Sequence, residues 1–207
     1  ESVGYRKLGN YDWKYSAYPE GKEDLKKMLN KIKDEGILPG FHFLHSHIGR
    51  SSKYVTPVAD HRLNLLRIFT LAKPLGKNDT VVYVEQNPDF CTMAPNTRVL
   101  KIGSELISYE NYTTTPPYTF TGCVRGIDNT TINAQPAGYM FGLLDVSEFG
   151  STSIYIDQNS SLQDELLKNS PIFMMRGSDS YILTDLKVLT RHFGSMFPQL
   201  NGEYINC

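Results

Sequence analysis

Val99-Leu100-Lys101-Ile102-Gly103-Ser104-Glu105-Leu106-Ile107-Ser108-Tyr109 decides how the middle of this chain folds. Two short runs rich in β-branched and apolar residues flank a Gly-Ser pair. That pattern predicts a β-hairpin turning at Gly103-Ser104. The neighbouring sequence has the same character. Val81 to Glu85, Tyr118 to Thr121 and Tyr139 to Phe141 read as further short strands separated by turn residues, with no helical period between them. Residues 67–147 therefore read as a small antiparallel sheet or barrel. Within it Glu105 and Tyr109 fall on one face, and Arg125 beside Gly126 is expected to pair with Glu105 inside the sheet rather than serve a ligand.

The flanks are of mixed type. Lys22 to Gly36 predicts an amphipathic helix, with Leu25, Met28, Leu29 and Ile32 on one face. Acidic Glu20, Glu23 and Asp24 suit its start, and Gly36 suits the position just past its end. The apolar run Gly40-Phe41-His42-Phe43-Leu44 then reads as a buried parallel strand, preceded by a strand near Val3 to Lys7 or Asp12 to Tyr15. Beyond the sheet segment, Ile154 to Asp157 reads as a strand. Leu162 to Lys168 reads as a short helix capped by Ser160 or Ser161, Ile172 to Met175 as a strand, and Ser180 to His192 as a helix. The expected fold class is α/β or α+β, in three segments, 1–66, 67–147 and 148–207.

Composition narrows the function classes. A hydrophobic content of 40% over 207 residues supports a packed core. A net charge of -1 argues against a nucleic-acid surface, which needs clustered Lys and Arg. The one dense basic stretch, Lys22 to Lys33, alternates with acids and reads as a solvated helix face. No run reaches the roughly 18 apolar residues of a membrane span. The chain opens at Glu1, which reads as a processed or truncated product. Four N-x-S/T sequons, at Asn78, Asn111, Asn129 and Asn159, favour a secreted glycoprotein. Cys91 and Cys123 are placed to form a disulfide across the strand-rich segment. Cys207 would then remain free or form an intermolecular link that makes an oligomer.

Two stretches carry resemblances. Tyr18-Pro19-Glu20-Gly21, Leu25 and Lys31 through His42 resemble a recurring helix-Gly-strand segment of melibiase-like (α-galactosidase-related) glycoside hydrolases. Lys101 to Tyr109, Phe120 to Gly126, Thr130 and Gly138 resemble a small β module inserted in bacterial glycosidase-like proteins and phage tail proteins. The first resemblance implies a TIM-barrel-like layer interrupted by a β insertion. A standard barrel takes about 250 residues, and about 125 remain here outside the module, so the barrel would be partial or reduced. It also implies two catalytic carboxylates at strand ends. Asp157, at the end of Ile154-Tyr155-Ile156, is the best match; Asp60 is the leading partner, with Asp12 and Asp179 as further candidates. Glycoside hydrolysis requires such a pair, about 5 Å apart for retention and farther for inversion.

His42-Phe43-Leu44-His45-Ser46-His47, with Asp60 and His61 after a loop, is the densest polar constellation. It reads three ways: a sugar-binding rim at a strand end, loop histidines satisfied by their surroundings, or a zinc site. The spacing matches no tight zinc signature, so no metal and no cofactor are expected. Trp13, between Asp12 and Lys14, reads as a ring for stacking sugars or as a core tryptophan. The functional expectation is a secreted carbohydrate-active protein that cleaves or binds glycosides. The alternative is a non-catalytic lectin-like or matrix protein on a degenerate hydrolase scaffold.

Overall fold

The computed structural model describes residues 13, 15–37, 40–42, 46–147, 153–169 and 180–182. It is a mixed α/β structure dominated by antiparallel pairing. The chain divides into two compact units, one of residues 46–162 and the other of the flanking segments 1–45 and 163–207.

In the flanking unit, helix α1 (Lys22–Asp34) forms where the apolar spacing predicts it. The backbone N–H of Glu20 donates to the Asp24 carboxylate at 2.7 Å, which ties down the entry. The exit is a Schellman motif: Gly36 N–H donates to Lys33 O at 2.9 Å, and Ile37 N–H to Ile32 O at 3.1 Å. Gly36 has φ +74°, the left-handed conformation that this motif needs and that glycine adopts without Cβ strain. Tyr18 and Leu25 form a small core joined by Trp13, Met28 and Leu29. Strand β1 (Gly40–His42) pairs antiparallel with residues Ser180–Ile182. The expected parallel strand is thereby corrected, because an apolar run specifies burial and not the direction of its partner. The helix expected from Ser180 is corrected over its first three residues as well, where Tyr181, a good strand former, sits opposite Phe41. The expected strands at Val3 to Lys7 and Ile172 to Met175 lie outside the described residues, as do Asp12, His45, Asp179 and Cys207.

The unit of residues 46–162 is built around the hairpin. Strand β2 (His47–Gly49) opens it, followed by β3 (Leu65–Thr70) and β4 (Val82–Tyr83). Next come β5 (Val99–Ile102) and β6 (Glu105–Ser108), then β7 (Asn111–Tyr112) and β8 (Thr119–Thr121). Strands β9 (Met140–Leu144) and β10 (Ser153–Tyr155) complete it. Strands β5 and β6 pair from Val99 opposite Ser108 to Ile102 opposite Glu105, so the turn is Gly103-Ser104, as the sequence predicts. A four-stranded sheet runs β3-β9-β5-β6 and a three-stranded one β4-β8-β7, while β10 pairs with β2. All of these pairings are antiparallel. Phe69, Leu100, Ile102, Ile107, Phe120, Phe141 and Leu143 belong to one buried core. Helix α2 (Ser161–Asn169) follows β10, and Ser160 Oγ accepts the Leu162 N–H at its start. Strand β11 is the Ser180–Ile182 segment already paired with β1.

Two side chains lock this unit. Glu105 and Arg125 form the expected ion pair, with side chains only 1% and 5% exposed. Arg125 Nε and a terminal guanidinium nitrogen each donate to one carboxylate oxygen at 2.7 Å. The backbone N–H groups of Gly126 (3.0 Å) and Asn133 (3.1 Å) donate to the same oxygens. Arg125 also donates to the carbonyls of Gly76 and Asn133. The pair therefore staples two loops, the β3–β4 and β8–β9 connections, onto β6.

The expected disulfide is not formed: Cys91 and Cys123 are both free, buried thiols. Each fills the core as a small apolar side chain. Burial pushes the Cys123 thiol up to about 12 and also raises that of Cys91, against the opposing charge of Arg67. Both are kept as thiols rather than reactive thiolates.

Candidate functional site

The loop after β2 builds one wall of a cleft. Ser52 N–H donates back to Gly49 O, and Val55 and Thr56 N–H groups donate to Ser52 O, which curls the chain. Ala59 N–H then donates to Ser104 O at 2.9 Å and docks the loop on the hairpin turn. The other wall is β5 with the start of β9. Along β5 Leu100 and Ile102 alternate with Val99 and Lys101, so Lys101 falls with buried Val99 on the opposite face of the strand.

The resulting cleft has a volume of about 520 Å³. Lys53, Asp60, His61, Lys101, Ser104 and Tyr139 supply its polar lining, and Tyr54 and Phe141 contribute apolar wall. A concave site of this size with apolar walls and a few converging polar groups has the form of a small-ligand site. Gly103, at the turn, has φ +60°, and a Cβ there would lie 3.2 Å from Tyr139 Oη. Glycine thus lets the tyrosine hydroxyl sit over the turn beside the cleft.

Asp60 is firmly held. Its carboxylate accepts from Arg62 Nε at 2.9 Å, from an Arg62 terminal nitrogen at 2.7 Å and from the Arg62 backbone N–H at 2.8 Å. Burial pushes its pKa up, but the Arg62 hydrogen bonds and charge outweigh that and hold it below the usual carboxylate range. Asp60 is therefore a fixed anion, not a proton donor near neutral pH. His61, with its side chain 88% exposed, lies 3.5 Å from it at the rim.

The other residues expected from the sequence go elsewhere. Asp157 is a turn-former at the end of β10: Oδ1 accepts the Asn159 N–H at 2.9 Å, and its carbonyl accepts the Ser160 hydroxyl and N–H. It does not line the cleft. His47 is 9% exposed, with Nδ1 2.9 Å from Ser46 Oγ and its ring 3.8 Å from that of Tyr155, which matches the reading of a satisfied histidine. His42 belongs to β1 in the flanking unit. Trp13 is half-buried there, its ring 6.0 Å from Tyr18 and packed against Gly21, as expected of a core tryptophan. Among the described residues no group of three or more His, Cys, Asp and Glu side chains is placed to hold a metal ion. Asn78, Asn111, Asn129 and Asn159 are all exposed.

Lys53, Lys101, Ser104, Tyr139 and Tyr54 are the site residues that sequence reasoning missed. One signal was available for Lys101, a lone charge inside the apolar run Val99-Leu100-Lys101-Ile102.

A second cleft, of about 550 Å³, contains Arg50, Arg98 and Asp128. There Arg50 Nε is paired with Asp128 at 2.8 Å, and Arg98 donates to Glu110 O at 2.8 Å. Its cations are spent on the protein itself, and the Asp60–Lys101 cleft is the better candidate.

No protein-family model matches the chain, and neither do any curated protein or solved structure.

Proposed function

We propose that this is a secreted carbohydrate-binding protein whose site is the cleft of Asp60, His61, Lys101, Ser104 and Tyr139. The observation that carries the reading is the convergence of these hydrogen-bonding groups on one concave surface with aromatic walls. Sugars need both features: donors and acceptors for hydroxyls, and ring faces for their C–H surfaces. Two of the five residues, Asp60 and His61, are the ones the sequence singles out.

Binding is favoured over cleavage. A glycosidase needs one carboxyl able to give up a proton and a second facing it. Asp60 is fixed as an anion by Arg62, and Asp157 is engaged in its own turn. This supports the non-catalytic, lectin-like reading. Kinship with melibiase-like barrels, with residues 46–162 enclosing an inserted β module, rests on the order of α1 and β1 and on the quoted motifs. The antiparallel β1–β11 pairing weighs against it. Secretion is supported by the exposure of all four sequon asparagines.

The test is a glycan-array screen of the full chain produced in a secreting eukaryotic host, its mass taken before and after enzymatic deglycosylation. The expected result is binding to a defined set of glycans that Tyr139→Ala lowers at least about tenfold, through loss of ring contact and a hydroxyl. Absence of binding to every glycan, or release of reducing sugar that Tyr139→Ala leaves intact, would overturn the reading. An unglycosylated product would remove the support for secretion.

A further inference from the structure

Lys101 indicates the class of sugar, an inference that rests on the carbohydrate reading. It is 7% exposed and lines the cleft. An ammonium group has three donors. One is used by the Gly103 carbonyl at 2.7 Å. Among the described residues no carboxylate lies within ion-pair distance of it. Asp60, the acid whose field reaches it, has its oxygens taken by three donors from Arg62.

A buried cation without a counter-ion is costly, and burial accordingly pulls the Lys101 pKa down. The position does not need a lysine for the fold. Its neighbours in β5 are Val99, Leu100 and Ile102, and its partner across β6 is Leu106, so leucine or methionine would fit the strand without the desolvation cost. A group that is expensive to bury, under-partnered and lining a cleft is placed to meet something from outside.

We infer that the cleft takes an acidic sugar, and that Lys101 binds its carboxylate. The complement matches an anionic group: Lys101, the buried cation of the lining, keeps two donors beyond the one given to Gly103 O, and Lys53 also lines the cleft. Neutral hydroxyls would not settle the charge of Lys101.

The experiment compares methyl glucuronide with methyl glucoside, two probes that differ at C6 by the carboxylate. Each is titrated into the full chain and followed by NMR, with inorganic phosphate as a third arm. The glucuronide is expected to bind about 10- to 100-fold more tightly than the glucoside, as a charge-assisted hydrogen bond provides. Lys101→Met should abolish that preference, bringing the affinity for the glucuronide down to no more than that for the glucoside, and Lys101→Arg should retain part of it. Equal binding of the two sugars by the wild type overturns the inference, and that comparison stands even if a variant fails to fold. Tighter binding of phosphate than of glucuronide also overturns it. If neither sugar binds, and the glycan screen is negative too, the carbohydrate reading itself falls.

Discussion

Replacing Glu105 by alanine will destabilise the unit of residues 46–162 by about 3–5 kcal/mol, because it leaves a guanidinium buried without its counter-ion. The carboxylate takes four donors, two from Arg125 and one each from the backbones of Gly126 and Asn133. All four lose their acceptor together. Glu105→Gln keeps the shape and an acceptor oxygen but no charge, and should fall between the wild type and alanine. The double replacement Glu105→Leu with Arg125→Met should recover much of the loss, since an apolar pair of similar volume removes the stranded charge. Unfolding must be followed by near-ultraviolet circular dichroism of the tyrosines. The single tryptophan, Trp13, lies in the flanking unit and reports on that one. A Glu105→Ala loss below about 1 kcal/mol would mean that water reaches the pair and that the staple is not what holds the loops.

Phe120→Ala should cost a comparable amount, about 3–5 kcal/mol, by a different mechanism. Phe120 is fully buried. Its ring meets Phe69 edge-on at 5.2 Å and an interplanar angle of 87°, and it lies 4.8 Å from the ring of Tyr109 and 6.3 Å from that of Tyr112. Phe69 comes from β3 in the four-stranded sheet and Phe120 from β8 in the three-stranded sheet. Removing the ring opens a cavity where the two sheets meet and forfeits the aromatic pairing. Phe120→Leu should cost less, because it refills part of the volume. Urea melts of the three proteins test this, and equal stability for alanine and phenylalanine would show that the core collapses around the gap.

What the sequence discloses here follows sequence separation. The hairpin and the Gly36 exit of α1 depend on short-range signals: a Gly-Ser turn between apolar runs and a glycine after a periodic stretch. The Glu105–Arg125 pair spans 20 residues and is legible only as an acid in an apolar strand that needs a cation. Strand β3 was not anticipated, although Leu65–Thr70 makes the pairing with β9 that closes the four-stranded sheet. Its run mixes buried Phe69 with exposed Leu66 and Ile68. A long-range antiparallel partner leaves no mark at either end. The β1–β11 pairing escaped detection for the same reason.

The site was legible in part. Asp60 and His61 stood out as polar residues after a loop, but nothing local says that their loop folds back onto Gly103-Ser104. Asp157 drew attention through an apolar-aromatic-apolar-Asp pattern, and that pattern is also how a strand hands over to an Asx turn. The role of Lys101 is not legible locally, because a charge inside a short apolar run gives no sign that its strand is buried at all four positions beside a cleft.

Amide chemical shifts of the full chain, recorded while a glycan selected by the array is titrated in, address the proposed site most directly. The binding reading predicts saturable shifts clustered at Asp60, His61, Lys101, Ser104 and Tyr139. Shifts centred instead on His47 and Asp157, or on Trp13 in the flanking unit, would contradict it.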